Sequence, residues 1–169
     1  MQKTNAMRIL DKAKIKYNTY EYEAGDGHID GVSVANKLSQ DVSMVFKTLV
    51  VQGNSRELYV FVIPVSEELN LKKAAKVAGE KNVEMIHVKD INKYTGYIRG
   101  GCSPIGMKKL YKTFIHESAK GLEKIIFSGG KIGIQIEANP DDILNLINGK
   151  RKQVGNGGSQ MLSFINSLI

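Results

Sequence analysis

Val45-Phe46-Lys47-Thr48-Leu49-Val50-Val51 is rich in β-branched and aromatic residues, the types that suit a pleated, half-buried strand. Gly53-Asn54 interrupts the run, Leu58–Ile63 resumes it and Pro64 marks its end, so the spacing predicts a hairpin. Alternation at period two puts Val45, Lys47, Leu49 and Val51 on one face, and Phe46, Thr48 and Val50 on the other. Lys47 is then the one charge in an apolar row. Two readings stay open: a lysine that protects an edge strand from aggregation, or an ammonium in a partly dry pocket, acting on a carbonyl or phosphate.

Upstream of this hairpin, Thr4 caps an expected helix over Asn5–Lys14, and Tyr17–Tyr22 reads as a strand with Asn18, Tyr20 and Tyr22 on one face. Tyr20 reads either as a half-buried strand aromatic or as a pocket wall. A turn-rich loop, Gly25–Gly31, precedes a short helix Val34–Leu38 capped by Ser33, and Asp41 starts a further turn. Downstream, Asn70 caps helix Leu71–Ala78, which Gly79 ends. A strand Val83–Val88 and a short helix Asp90–Tyr94 follow. Strands are then expected at Lys112–Ile115, Lys124–Phe127 and Gly133–Glu137. Asn139-Pro140-Asp141-Asp142 opens a last helix, with a cap, a first-turn proline and acids at the positive end of the dipole. It runs through Asn148 to Gly149. Many short strands among few helices predict an α+β fold around a mixed, curled, barrel-like sheet rather than a doubly wound one. One domain is expected over 1–149. Residues 150–169 read as a basic, glycine-rich linker and a short amphipathic segment that docks on the domain or on a partner.

Two glycine-rich stretches resist regular structure: Thr95-Gly96-Tyr97 through Gly100-Gly101-Cys102-Ser103-Pro104-Ile105-Gly106, and Ser128-Gly129-Gly130-Lys131-Ile132-Gly133. Bare backbone N–H groups in such turns can converge on an anion or a developing oxyanion. Ordinary turns explain the glycines equally well. Ser128-Gly129-Gly130-Lys131 lacks the spacing of a nucleotide P-loop.

The chain has 169 residues, 42% of them hydrophobic, and a formal charge of +7, which favours polyanionic partners such as RNA. No apolar run reaches the roughly 20 residues of a membrane helix. The N-terminal residues lack a signal peptide's apolar segment. A single cysteine, Cys102, fits a reducing cytoplasm. The histidines His28, His87 and His116 stand at no metal-ligand spacing, so neither metal nor other cofactor is expected. Cys102 reads as a small buried residue, since no cysteine-protease signature surrounds it. With no serine or cysteine triad in sight, any chemistry here rests on positioning and electrostatics.

The combination Val45–Leu49, Val83-Glu84-Met85, Thr95-Gly96-Tyr97, Gly100 through Gly106 and Ser128-Gly129-Gly130, in this order and spacing, closely resembles the YbaK/EbsC family. These are bacterial Cys-tRNA(Pro)/Cys-tRNA(Cys) deacylases, related to the editing domain of bacterial prolyl-tRNA synthetases. The resemblance implies hydrolysis of a mischarged aminoacyl ester in the cytoplasm, without metal and with assistance from the substrate thiol. It implies an aminoacyl-tRNA, Cys-tRNA(Pro), as partner, and prolyl-tRNA synthetase as a second one. It places Lys47 and Gly101 in the catalytic role and Tyr20, Thr48, Gly100, Ser103, Ser128 and Gly129 around the substrate. Two positions depart from the family pattern. Gln135 stands where an aspartate is common, and Cys102 where an aliphatic residue is. Editing of alanine or serine on tRNA, and a non-catalytic tRNA-binding or regulatory module, remain alternatives.

Overall fold

The fold was obtained as a computed structural model, which describes residues 2–149, 164–165 and 168–169. Helix α1 (Asn5–Lys12) starts where the Thr4 hydroxyl accepts the Met7 N–H, and it buries Ala6, Met7 and Leu10. It stops short of the expected Lys14, which takes a left-handed φ of 59°. Strand β1 (Tyr17–Glu21) follows. Helix α2 (Gly31–Lys37) begins earlier than the sequence predicts, because Asp30 rather than Ser33 is its cap and accepts the Ser33 N–H. Asp41 caps a single 3-10 turn, Val42–Met44. The hairpin forms as expected from β2 (Phe46–Gly53) and β3 (Leu58–Pro64).

Helix α3 (Leu71–Ala78) has Asn70 as its N-cap and Gly79, at φ 74°, as its C-cap. Strand β4 (Val83–Met85) is shorter than expected, since only Val51–Gly53 of β2 pair with it and the chain then turns at Val88–Asp90. After α4 (Ile91–Thr95) and the glycine loop come β5 (Lys112–His116), β6 (Ile125–Ser128) and β7 (Ile134–Ala138). Asn139 accepts the N–H groups of Asp141 and Asp142 to start α5 (Pro140–Gly149). A last short strand, β8 (Phe164–Ile165), adds in parallel to β5.

The α+β reading holds, but the sheet is not a closed barrel. The described residues form a three-stranded sheet, β1-β7-β6, and a five-stranded one, β4-β2-β3-β5-β8. A single parallel bridge, Val45 to Ile126, joins them. The main core lies between the sheets: Phe46, Val50, Val60, Val62 and Ile115 from one, Phe127 and Ile136 from the other, closed by residues of α1 and α5. Outside the five-stranded sheet, α3 packs Ala74, Ala75 and Ala78 onto Phe61, Ile63 and Phe114, whose Phe61 and Phe114 rings stack at 5.2 Å. Leu168 is buried in this cluster, and its carbonyl accepts the Asn70 N–H at 2.8 Å. The predicted linker and most of the amphipathic segment lie outside the described residues. Among the described residues, no helix is long and apolar enough to cross a membrane.

Candidate active site

The bridge at Val45 fixes what surrounds Lys47. The bridge is parallel, and Lys47 and Ser128 each lie two residues beyond it, on the face that Val45 and Ile126 share. Ser128 pairs with Gln135, and Gln135 with Tyr20. Ser128, Gln135 and Tyr20 therefore form one row across the outer face of the three-stranded sheet, and Lys47 lies on β2 beyond the edge of that sheet, two residues past the bridge. A second row, Val45, Ile126, Glu137 and Asn18, lies two residues away, about 6.8 Å along the strands. Above them Ala35, Val45, Val65 and Ile126 form a small apolar cluster against which Tyr20, Val32 and Val42 pack.

Lys47 is half-buried and has no hydrogen bond or ion pair from its side chain among the described residues. On one side β2 pairs with β3 at Lys47; on the other, β4 reaches only Val51–Gly53 and the bridge to β6 only Val45, so Lys47 stands at a locally open edge between them. The row also contains polar groups taken out of water. Gln135 is 5% exposed and accepts the Gln40 amide at 2.7 Å, while the Gln40 Oε1 is buried with no partner. Glu137 is 9% exposed; Asn18 donates to its Oε1 at 2.9 Å and Tyr20 donates its hydroxyl to Oε2 at 2.8 Å. The bond to Glu137, and burial after it, push the Tyr20 phenol above its ordinary range.

The two glycine stretches pack on each other. A Cβ on Gly101 would stand 3.1 Å from the Ile132 nitrogen and 3.2 Å from the Lys131 Cα, a contact with rigid backbone that only glycine relieves. On Gly100, at φ 86°, it would press on Ile29 of the loop before α2. Tyr97 anchors the loop: its ring lies beneath Gly130 and its hydroxyl donates to the Ile105 carbonyl. Since Ser128 opens the turn that Gly101 touches, β2 and both loops meet at this end of the molecule.

Several expected site residues take other positions. Thr48 alternates away from Lys47, opposite Val62 and toward the main core, and its hydroxyl is buried with no partner. Ser103 is fully buried, its hydroxyl accepting the Ile105 N–H at 3.3 Å. Gly129 spends its N–H on the Ile134 carbonyl and its carbonyl on the Thr4 hydroxyl. Both residues spend these groups on bonds within the protein. Gly101 donates its N–H to the Ile98 carbonyl at 2.9 Å, so this donor is occupied. The neighbouring N–H groups of Gly100 and Cys102 have no protein partner among the described residues. Cys102 is half-buried, and burial pushes its thiol up to about 11, so it is a neutral thiol at neutral pH and a poor nucleophile.

Sequence reasoning missed Glu137 and Gln40. The signal for Glu137 was the same alternation that had grouped Asn18, Tyr20 and Tyr22; it became legible once β1 and β7 were known to pair. As built, the site offers an unpaired cation, free backbone donors and a buried carboxylate. It can polarise a carbonyl and receive a cationic group beside it.

Residues 30–146 match the family model of the aminoacyl-tRNA editing domain. That span is more than half of the chain, and the chain belongs to this family. A similar protein from Enterococcus faecalis, EbsC, is described as a candidate Cys-tRNA(Pro)/Cys-tRNA(Cys) deacylase; it is 49% identical over 153 residues, covering 90% of this chain and 93% of EbsC. A crystal structure titled as a candidate trans-editing enzyme for prolyl-tRNA synthetase superposes with a TM-score of 0.71 at 20% identity, covering 92% of this chain and 98% of that one. A second solved structure, of a hypothetical protein, gives 0.75 at 21% identity over 85% of this chain and 93% of the other. At such identities these structures establish the shared fold.

Proposed function

We propose that this chain is a trans-editing aminoacyl-tRNA deacylase that hydrolyses mischarged Cys-tRNA(Pro), and Cys-tRNA(Cys) as well. The observation that carries this reading is Lys47, a half-buried ammonium without a protein partner among the described residues, two residues past the bridge that ties β2 to β6, the strand that ends at Ser128. The ester carbonyl is held near Lys47 and the N–H groups of Gly100 and Cys102. These donors stabilise the oxygen on which charge develops as the tetrahedral intermediate forms. The substrate's own thiol attacks its carbonyl carbon. A sulfur–carbon bond forms, the ester bond to the ribose oxygen breaks, the thiol proton ends on that oxygen and tRNA leaves. Water then opens the cyclic thioester. This route matches a site that offers no activated nucleophile of its own.

A second, hydrolytic sieve is worth having because binding pockets separate similar small amino acids only by about 10–200-fold. The net charge of +7 supports tRNA binding through phosphates, with little sequence reading. Discrimination among tRNAs then falls to a prolyl-tRNA synthetase partner.

The reading is tested by release of label from Cys-tRNA(Pro), Ala-tRNA(Pro) and Pro-tRNA(Pro). Wild type releases only the cysteinyl label, and Lys47→Ala slows that release about 10²–10³-fold, the usual effect of losing one oxyanion donor. Release of alanine by wild type would sink the thiol route, and a fully active Lys47→Ala the role of the lysine.

A further inference from the structure

Glu137 is the one charged side chain that is buried among the described residues. A carboxylate taken out of water needs both charge and hydrogen bonds returned to it, and here each oxygen has one hydrogen bond and the single ion pair is long. It has about four acceptor sites and takes two bonds, from Asn18 and Tyr20. Its nearest cation, Lys124, stands 3.8 Å from Oε1 and is itself 45% exposed. No other ion pair reaches it among the described residues.

We infer that Glu137 and Tyr20 form the subsite for the α-ammonium group of the aminoacyl ester, a role that rests on the deacylase reading above. Any aminoacyl ester carries a cation one carbon from the carbonyl under attack. Holding that carbonyl near Lys47 brings two positive charges together, and a carboxylate on the same face offsets the repulsion. Tyr20 has a single hydroxyl proton and gives it to Glu137. Its oxygen is therefore left as an acceptor, a match for an ammonium with three donors. Asn18 fixes the carboxylate from the other side. Tyr20 stands in the row of Gln135 and Ser128, and Glu137 in the row of Ile126 and Val45, two residues before Lys47 on β2, so the acceptor and the lysine share one face. The class of ligand is a primary ammonium. Esters whose amine is absent or blocked are selected against.

The test compares Cys-tRNA(Pro) with 3-mercaptopropionyl-tRNA(Pro), which keeps the thiol and the ester and lacks the amine. A hydrogen-bonded charge predicts that wild type favours the cysteinyl ester about 10–100-fold in kcat/KM. Glu137→Gln, which still accepts the Tyr20 proton, reduces this preference to within about threefold, and Tyr20→Phe reduces it part of the way. A preference that persists in Glu137→Gln, even with both rates lowered, assigns Glu137 a structural role and overturns the inference. So does a wild type indifferent to the amine. If wild type hydrolyses neither ester, the deacylase reading fails, and calorimetry with the amide-linked adenosine analogues decides the subsite separately. Tighter binding of the cysteinyl analogue than of the 3-mercaptopropionyl one, lost in Glu137→Gln, keeps it. Equal binding removes it.

Discussion

The outer faces of the two sheets are covered in opposite ways. Over the five-stranded sheet, α3 lays Ala74, Ala75 and Ala78 on Phe61, Ile63 and Phe114, and the polar tip in the cluster, the Tyr59 hydroxyl, is satisfied by Glu80. Over the three-stranded sheet, Gln135 and Glu137 are buried beside Tyr20, and the Gln40 oxygen is left without a partner. Both faces exclude water, yet only the first does so with groups that gain from it. Replacing buried polar pairs by apolar side chains of similar size is often neutral or stabilising, so stability alone does not account for the second face. The two differ in what they are for: one holds the fold together, and the other holds unsatisfied groups ready.

The largest effect should come from Phe114→Ala. Loss of a fully buried aromatic costs about 3–5 kcal/mol, read as a fall in the urea midpoint at constant m, while the fraction that stays folded keeps its deacylase rate. A lowered rate in that fraction would join the two faces that the structure separates. Lys47→Ala is the mirror case. Its loss of about 10²–10³ in rate comes with an unfolding free energy within about 0.5 kcal/mol of wild type, as for other side chains without protein partners.

Alkaline titration tests the loop between the faces. Below pH 9 the Cys102 thiol is protonated in both folded and unfolded chains; above it the unfolded chain loses the proton first, because the folded thiol titrates at about 11. The unfolded state then binds fewer protons, so stability falls as pH rises from 9 to 11. Denaturant midpoints across this range should drop in wild type and drop less in Cys102→Ala. Tyr97, which burial pushes up to about 12, shares the fall that remains above pH 10 with Tyr17, Tyr59 and Tyr111, whose phenols burial also pushes up, and with Tyr20, raised by its bond to Glu137. The smallest effect belongs to Thr48→Val. Removing a buried hydroxyl that has no partner should stabilise by about 1 kcal/mol and leave the deacylase rate within about twofold, since this side chain faces the main core. A large loss of rate would return Thr48 to the site.

What the sequence disclosed follows the range of the interactions involved. The β2–β3 hairpin, α3 between Asn70 and Gly79, and the start of α5 at Asn139 depend on neighbours a few residues away, and each was legible. The cap of α2 was missed because Asp30 and Ser33 are both good caps, and only the entry of the chain from the Gly25–Gly31 loop selects the first. Lys47 stood out as a charge in an apolar row. Thr48 came in with the resemblance, although alternation had already turned it to the other face. That the Gly101 N–H turns to the Ile98 carbonyl was not legible, because closure of the Ile98–Gly101 turn depends on backbone angles that no composition reveals. Glu137 was beyond reach for another reason: its partners Asn18 and Tyr20 lie 119 and 117 residues away.

That separation also bears on when the protein becomes competent. Strand β1 is synthesised early, and it can pair only after β7 has followed it, so the three-stranded sheet must close one of the longest loops in the chain. Pairings of such high contact order are slow and come late. The hairpin and its helix can condense while β1 still waits. Refolding followed through Tyr20 would therefore lag behind refolding followed through Phe61 and Phe114, and the last event of folding would be the one that completes the row of Tyr20, Gln135 and Ser128.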